Sequence, residues 1–265
     1  MGGPLLHAEA LCLNYGGVRA LREVDIEIMP AELVGVIGPN GAGKSTLLDA
    51  ITGFAPLTSG ALTFDGRDIR RRRPAERARM GVARTWQTLQ LFEDLTVSEN
   101  VRMALRRRPA ASGTVVPHRG GGRAEHDVLA RLGMDRLAGR MPGELSHGQR
   151  VLVGVARALA GDPKLLLMDE PAAGLDGRER DLLGGILRDV VASGTSVVLV
   201  DHDMPLVLGI CDRVYVLDFG AVIADGAPRQ VRNDPRVIAA YLGTDDPGTR
   251  DDGRLRESLA AEEAR

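Results

Sequence analysis

The stretch LVGVIGPNGAGKST, residues 33–46, decides the fold. LVGVI is a short apolar run typical of a buried strand, and GPNGAGKST follows it directly. Gly38 to Ser45 match the pattern G-x-x-x-x-G-K-[ST], in which a glycine-rich loop joins a strand to a helix and surrounds a phosphate with backbone amides. In this pattern Lys44 reaches the β and γ oxygens, and the Ser45 hydroxyl binds Mg²⁺. The sequence therefore predicts an α/β fold with a phosphate-binding loop and a helix that runs to about Gly53.

The candidate phosphate-binding residues of this stretch lie in the loop or at the start of the helix. They are Gly38, Asn40, Gly41, Gly43, Lys44, Ser45 and Thr46. Lysine usage points the same way, because only two of the 34 basic residues are lysines, Lys44 and Lys164. The chain uses arginine almost everywhere else, which favours a specific role for Lys44.

An acidic strand end is the second chemical signal. LLLMDEP, residues 165–171, is an apolar strand that finishes in two carboxylates. Asp169 can hold the Mg²⁺ shell, often through water, and Glu170 can polarise an attacking water. The alternative is an ordinary acidic strand end, which the phosphate loop makes less attractive. Adjacent carboxylates favour hydrolysis over transfer to a bound acceptor.

A second anion-binding element is predicted in ELSHGQRVLVGVARALA, residues 144–160. Ser146 and Gln149 have the spacing of a capping box ahead of a run with helical apolar periodicity. Gly148 leaves the backbone at the helix start open to close approach. A helix N-terminus binds anions, so this chain carries two such elements about 100 residues apart in sequence.

Three further residues are weaker candidates. Gln87 follows the predicted strand GVARTW, and by itself it is more often a solvated loop glutamine. His202 follows the apolar run TSVVLVD, and the end of a strand in an α/β sheet points toward the ligand edge. Tyr15 could stack on a base, although core packing is the commoner fate of a lone tyrosine.

Composition excludes several classes of protein. The 265 residues are 44% hydrophobic with a formal net charge of -2, which disfavours nonspecific nucleic-acid binding as the main activity. No apolar run approaches the roughly 18 residues that span a bilayer, and the N-terminal sequence does not resemble a signal peptide. Cys12 and Cys211 have no metal-binding spacing, and both fit a reduced cytosol.

The remaining sequence patterns outline two kinds of sheet. LLHAEALCLNY, VDIEI and GALTFDG are predicted as strands in the first part of the chain, and VSENVRMALRR as a helix with Ser98 as its cap. KLLLMDE and TSVVLVDH are continuous apolar strands of a parallel sheet, joined by a helix at about 178–192. RVYVLDFGAVIADG is predicted to be a hairpin with its turn at Phe219 and Gly220.

Together these motifs resemble the ATPase subunit of an ABC transporter over residues 5–243. GPNGAGKST resembles the Walker A motif, LLLMDE the Walker B motif with its glutamate, and LSHGQ the ABC signature. GLD at 174–176 resembles the D-loop, which makes Asp176 a further candidate nucleotide contact. The resemblance implies that Gln87 is the Q-loop residue that also contacts the metal, that His202 is the switch histidine, and that Tyr15 stacks on adenine.

The resemblance also implies the cofactors and the partners. In this family two ATPase subunits pair head to tail, and each ATP with its Mg²⁺ lies between the phosphate loop of one subunit and the signature helix of the other. Ser146, Gly148 and Gln149 would then contact the nucleotide of the partner chain, whether the pair is a homodimer or a heterodimer. The other partners implied are transmembrane permease subunits and, indirectly, an extracytoplasmic solute-binding protein; no nucleic acid is expected.

A narrower resemblance concerns the transported solute. RTWQTLQLFEDLTVSENV, DEPAAGLD and the ending DPRVIAAYLG resemble the ATPases of branched-chain, or hydrophobic, amino acid importers. His147 departs from the usual glycine of the signature, and Asp201 stands where Glu or Thr is more usual before His202. Because LSHGQ also resembles the urea and amide importer ATPases, the solute stays open between amino acids and urea or short amides.

The expected architecture is a P-loop ABC ATPase core with an antiparallel β subdomain and a helical subdomain at about 88–160. Residues 244–265 form a charged tail that we expect to be disordered. The expected location is the cytoplasmic face of the cell membrane, where the chain is peripheral and attached through the permease.

Three rival functions fit the sequence less well. A soluble ABC ATPase of DNA repair or translation usually carries a long coiled insertion or two ATPase units in one chain, and 265 residues hold neither. The second rival is a GTPase or a small-molecule kinase; a GTPase needs N-K-x-D, and neither lysine follows an asparagine. A regulatory module that binds ATP without hydrolysing it does not need Glu170.

Overall fold

The computed structural model describes residues 3–86, 90–105 and 121–242. The strands are β1 (Leu6–Tyr15), β2 (Val18–Ile28), β3 (Leu33–Ile37), β4 (Ser59–Phe64), β5 (Arg67–Asp68), β6 (Val82–Arg84), β7 (Leu165–Asp169), β8 (Ser196–Val200), β9 (Arg213–Asp218) and β10 (Ala221–Gly226). The helices are α1 (Lys44–Thr52), α2 (Pro74–Met80), α3 (Val97–Ala104), α4 (Gly121–Arg131), α5 (His147–Leu159), α6 (Gly177–Ala192), α7 (Met204–Ile210), α8 (Pro228–Arg232) and α9 (Pro235–Leu242).

The central sheet has the strand order β10-β9-β3-β8-β7-β6. Neighbouring strands from β9 to β6 pair in parallel, and β10 pairs antiparallel with β9 as the predicted hairpin. Every residue of β3, β7 and β8 is buried, as expected for strands covered on both faces. The predicted parallel sheet is confirmed.

Two hydrophobic cores lie on opposite faces of this sheet. Leu33 and Ile37 of β3 pack into one core with residues of α5, α6 and α7. Val34 and Val36 of the same strand pack into the other core, with residues of α1 and of the second sheet. The alternation follows from the two-residue period of a strand, so both faces of β3 need apolar side chains.

The second sheet is antiparallel, with the order β2-β1-β4-β5. Sequence periodicity predicted only VDIEI as its second strand, but β2 already begins at Val18 and pairs with Tyr15 across a Gly16-Gly17 turn. In the first half of β2 only Leu21 is buried, so that part lacks the apolar alternation that would have revealed it. This sheet is the predicted antiparallel subdomain.

Helices α3, α4 and α5 follow β6 in the chain and pack on one another, forming the helical part of the fold. The prediction that Ser98 caps α3 was wrong. Thr96 is the N-cap: its hydroxyl accepts from the Glu99 amide at 3.3 Å, and the Glu99 carboxylate accepts from the Thr96 amide at 2.9 Å. A reciprocal capping box satisfies two otherwise unpaired amides, which Ser98 inside the helix cannot do.

Parts of the predicted organisation are not described by the structure. Gln87 and the charged tail 244–265 lie outside the described residues. The boundaries 5–243 for the ATPase domain and 88–160 for the helical subdomain stay predictions. Within the described ranges, none of the helices has the length and apolarity needed to cross a membrane.

The parallel strands bring their carboxyl ends to one edge of the central sheet. The loop of Gly38 to Gly43 follows β3, Glu170 follows β7, and His202 follows β8 closely. Segments that are distant in sequence therefore meet at the edge where α/β sheets bind ligands.

Helix α1, which begins at the phosphate loop, is held at its other end by Arg77. The Arg77 side chain is buried, and its guanidinium donates to the carbonyls of Ala50 at 2.6 Å and Ile51 at 2.8 Å. These carbonyls belong to the last turn of α1, where a cation also complements the helix dipole. Arg77 thus fixes the helix that carries Lys44 and Ser45.

Replacing Arg77 by Met should destabilise the fold by about 3 kcal/mol, because it leaves buried carbonyls without a charged donor. Urea unfolding followed by circular dichroism measures this loss. Arg71→Met, at an exposed position six residues before Arg77, is the matched control. If both variants unfold at the same urea concentration, Arg77 does not hold α1.

Candidate functional site

The phosphate loop has a backbone path that excludes side chains at two positions. Gly38 has φ +148 and Gly43 has φ +103. A Cβ on Gly38 would lie 2.1 Å from the Leu217 carbonyl oxygen, and one on Gly43 would lie 2.7 Å from the Ala20 carbonyl oxygen. Glycine is therefore required at both positions by conformation and by space.

Lys44 is buried beneath this loop. Its Nζ donates to the carbonyl oxygens of Gly38 at 2.6 Å and Pro39 at 3.0 Å, which hold the ammonium at the centre of the loop. Burial lowers the pKa of Lys44, while the nearby carboxylates of Glu170 and Asp169 oppose that shift. A buried ammonium with fixed direction is suited to bind phosphate oxygens.

Asp169, at the end of β7, faces the first residues of α1. The Ser45 hydroxyl donates to Asp169 Oδ1 at 3.3 Å. The other oxygen, Oδ2, accepts from the Arg84 guanidinium at 2.8 Å. A hydroxyl and a carboxylate oxygen at this separation are the hard oxygen ligands that Mg²⁺ prefers, and Mg²⁺ needs few protein ligands besides water and phosphate.

Glu170 has a backbone conformation that side-chain-bearing residues seldom adopt. Its φ is +49, in the left-handed region, and its amide donates to the Val200 carbonyl at 2.7 Å. Such a conformation costs on the order of 1 kcal/mol and is found where the surrounding structure imposes it, often at functional sites. The turn brings Glu170 to the wall of the cleft that Lys44 and Ser45 also line.

The cleft above the phosphate loop has a volume of about 540 Å³. This lies within the range of small-molecule and cofactor sites. Its lining comprises both walls and the loop itself: Val18, Arg19, Ala20, Arg22, Asn40, Gly41, Ala42, Gly43, Lys44, Ser45, Thr46, Glu170, Phe219 and Gly220. Six of the seven predicted phosphate-loop residues, all but Gly38, thus face one cavity together with Glu170: Asn40, Gly41, Gly43, Lys44, Ser45 and Thr46.

Asp201 and His202 directly follow β8, and one of them is buried while the other is exposed to solvent. The His202 side chain is 50% exposed, with its Nδ1 at 3.9 Å from Asp201 Oδ1. Asp201 is fully buried, and its carboxylate accepts from the Ala172 amide at 3.0 Å and the Asp203 amide at 2.9 Å. Burial raises the pKa of Asp201, and the two amide hydrogen bonds counteract this. Asp201 therefore ties the segment after Glu170 to the strand that carries His202.

The predicted second anion element has the expected local structure. The Ser146 hydroxyl accepts from the Gln149 amide at 3.2 Å, and the Gln149 side chain accepts from the Ser146 amide at 3.0 Å, which confirms the capping box. The His147 ring lies with Nε2 at 3.0 Å from the Ala173 carbonyl oxygen. Asp176 caps the next helix, α6, by accepting from the Glu179 amide at 2.8 Å.

The structure places the remaining candidates differently. Tyr15 is 51% exposed at the end of β1 and is not part of the cleft lining, to which Val18 and Ala20 of the adjoining strand contribute instead. Gln87 lies outside the described residues. Their roles in base stacking and metal contact stay predictions.

Comparison with known protein families shows to which family this chain belongs. The model of the ABC transporter family matches residues 21–173, which include the phosphate loop, the signature and the acidic strand end. A second model, described as branched-chain amino acid ATP-binding cassette transporter, matches residues 221–247.

The chain belongs to the ABC transporter family.

Individual members of the family support this assignment along nearly the whole chain. The high-affinity branched-chain amino acid transport ATP-binding protein LivG of Escherichia coli is 36% identical over 253 residues, 92% of this chain and 99% of LivG. The protein is therefore an ATP-binding, ATP-hydrolysing ABC ATPase.

Solved structures agree with this fold. MJ1267, an ATP-binding cassette of an ABC transporter whose ADP conformation is known, superimposes with a TM-score of 0.82 and 32% identity, covering 91% of this chain and 100% of its own. The dimeric bacterial ABC transporter cassette MJ0796 superimposes with a TM-score of 0.74 and 26% identity, covering 84% of this chain and 99% of its own.

Arg84 is a site residue of this ABC ATPase that the sequence analysis missed. Its side chain is 6% exposed, and its guanidinium pairs with both Asp169 and Asp49 of α1. Its Cζ also lies 4.2 Å from the centre of the Trp86 ring. Arg84 is the last residue of β6, which pairs with β7. Sequence patterns could not reveal its role, because Asp49 and Asp169, which it joins, are 120 residues apart in the chain.

Substituting Met for Arg84 should destabilise the protein by about 3 kcal/mol, because two carboxylates at the site lose their common counter-charge. Chemical unfolding monitored by circular dichroism gives the change. The control is Arg70→Met, which breaks the exposed pair with Asp68 and should change stability little. Equal effects of the two substitutions would contradict a structural role for the buried pair.

Proposed function

We propose that this ABC ATPase hydrolyses MgATP in the cleft above the phosphate loop and thereby powers the import of branched-chain or other hydrophobic amino acids. ATP hydrolysis is supported above all by the position of Glu170. This residue has a left-handed backbone conformation and lines the same cleft as Lys44 and Ser45. The solute assignment is supported by the similarity to LivG and by the C-terminal family match at 221–247.

ATP would bind with its β and γ phosphates over the loop amides and Lys44. The amides of Gly41 and Gly43 and the buried ammonium supply fixed positive charge, which costs no reorganisation when charge develops on the transferred phosphate. Mg²⁺ would be held by the Ser45 hydroxyl and the Asp169 carboxylate, with Gln87 as a further ligand. When bound, it neutralises phosphate charge.

Glu170 would accept a proton from, and orient, the water that attacks the γ-phosphate. Its left-handed backbone turn places the residue at the cleft wall without a nucleotide bound. His202 would contact the γ-phosphate from the end of β8, and buried Asp201 would keep Glu170 and His202 in register through the Ala172 amide. Tyr15, at the exposed end of β1, would stack on the adenine.

The active form would be a head-to-tail dimer. Ser146, Gly148, Gln149 and Asp176 would contact the nucleotide bound by the phosphate loop of the partner subunit. Ser146 is exposed at the start of α5, so a second chain can reach it, and the dimeric cassette MJ0796 supports pairing. A positive helix start is suited to a γ-phosphate.

The other partners would be permease subunits, which would hold the chain peripherally at the cytoplasmic face of the membrane. An extracytoplasmic binding protein would deliver the solute to the permease. ATP binding would close the dimer, and hydrolysis with product release would reopen it.

The Glu170→Gln variant should bind ATP normally, lose ATP turnover by orders of magnitude and accumulate ATP-bound dimers, because the water is no longer activated. Lys44→Ala should instead weaken nucleotide binding itself. Steady-state ATPase assays and equilibrium binding of a fluorescent ATP analogue separate the two effects.

Lys164→Ala is the matched control for Lys44→Ala, because Lys164 forms an exposed pair with Asp65 at 2.6 Å. It should leave both assays unchanged. Near-normal hydrolysis by Glu170→Gln would refute the assignment of that residue.

The solute is tested by uptake of radiolabelled leucine in cells that lack this ATPase. We expect leucine uptake to fall, to return with the natural chain and not to return with Glu170→Gln. Urea uptake measured in the same cells should not change. Loss of urea uptake with normal leucine uptake would overturn the amino-acid assignment while leaving the ATPase intact.

A further inference from the structure

Glu179, in the first turn of α6, reaches from the D-loop side of the molecule to the start of the signature helix. Its Oε1 accepts from the Ser146 hydroxyl at 3.1 Å. Its Oε2 lies 3.3 Å from the Asp176 amide, which donates to it. One carboxylate therefore joins the capping residue of α5 to the capping residue of α6.

The same carboxylate fills the space that Gly148 leaves open. A Cβ on Gly148 would lie 2.6 Å from Glu179 Oε1 and 2.6 Å from Glu179 Cδ. The backbone of Gly148 is helical, so a side chain at this position would meet the flexible end of the Glu179 side chain and push it aside. The anion-binding start of α5 is thus already covered by an anionic group of its own chain.

A second contact links the same two segments. His147 Nε2 lies 3.0 Å from the Ala173 carbonyl oxygen, six residues before Glu179. Residues 146–148 and 173–179 therefore meet at two points, the His147 ring and the Glu179 carboxylate. A carboxylate at a helix N-terminus is favourable, which gives this arrangement a physical basis in the lone chain.

We infer that Glu179 is a positioning residue that holds the Ser146 hydroxyl and occupies the place of the partner's γ-phosphate until the ATP-bound dimer closes. The inference rests on the proposed function, in which Ser146 and Gly148 receive that phosphate. Because a carboxylate and a γ-phosphate repel each other, Glu179 has to leave Ser146 when the dimer forms. Its negative charge then raises the ATP concentration needed for closure.

Glu179→Gln separates this role from simple helix capping. Glutamine still fits the third position of a capping box, where its amide oxygen can accept from the Asp176 amide. Its NH2 group takes the place of Oε1 and can donate to the Ser146 hydroxyl oxygen. The substitution therefore removes the charge and reverses one hydrogen bond, while the side chain keeps its size and both neighbours.

The experiment uses the full chain with Glu170→Gln as the parent, so that bound ATP is not consumed. Sedimentation velocity measures the dimer fraction against MgATP concentration. Adding Glu179→Gln should lower the half-maximal ATP concentration about three- to tenfold, as expected when one like-charge contact is lost. The ratio between the two variants should shrink as salt rises, because salt screens the repulsion.

Glu99→Gln is the matched control, because Glu99 occupies the same capping-box position in α3, where its carboxylate accepts from the Thr96 amide at 2.9 Å. It should leave the half-maximal ATP concentration unchanged. An unchanged or higher ATP requirement for Glu179→Gln, with a melting temperature equal to that of the parent, overturns the inference and leaves the proposed function standing. If the parent itself forms no ATP-dependent dimer, the proposed function fails and this inference fails with it.

Discussion

The structure depends on the close backbone contacts that the phosphate loop makes where it passes between the two sheets. Gly38 lies against the Leu217 carbonyl of β9, and Gly43 against the Ala20 carbonyl of β2. Gly220 then donates to the Ala42 carbonyl at 2.9 Å and accepts from the Arg22 amide at 2.7 Å, so backbone hydrogen bonds join the loop to both sheets. The antiparallel sheet and the central sheet are therefore held in one geometry around the loop, and the cleft walls follow from it.

Within this frame each carboxylate of the site is held by a different group. Asp169 is directed by Ser45 and Arg84, whereas buried Asp201 is held by backbone amides. Glu179, which follows the acidic strand end of Asp169 and Glu170 in the chain, is held by the Ser146 hydroxyl instead. Neighbouring carboxylates repel one another, and here each of them has its own hydrogen-bond donors. In the proposed function, this separation would allow Asp169 to hold the metal, Glu170 to activate water and Glu179 to control access to the signature helix.

Much of this could be predicted from sequence because the signals are local. A glycine-rich loop between an apolar strand and a helix, two carboxylates after a strand, and Ser146 with Gln149 are each short patterns with a direct physical meaning. The capping box of Thr96 and Glu99 in α3 is just as local a pattern, although the cap was predicted at Ser98. Arg84, Asp201 and Glu179 could not be assigned in this way, because their partners are supplied by the tertiary fold. Arg84 joins residues of α1 and β7, and Glu179 joins the starts of α5 and α6.

In the proposed dimer, the cleft of one subunit and the signature helix of the other together enclose MgATP. A crystal structure of the full-length Glu170→Gln chain with MgATP would show this arrangement. We expect a dimer in which the γ-phosphate lies between Lys44 of one subunit and Ser146 of the other, with the Glu179 carboxylate turned away from Ser146. A nucleotide bound elsewhere, or one that stays open to solvent in an ATP-bound dimer while Ser146 remains on Glu179, would contradict it.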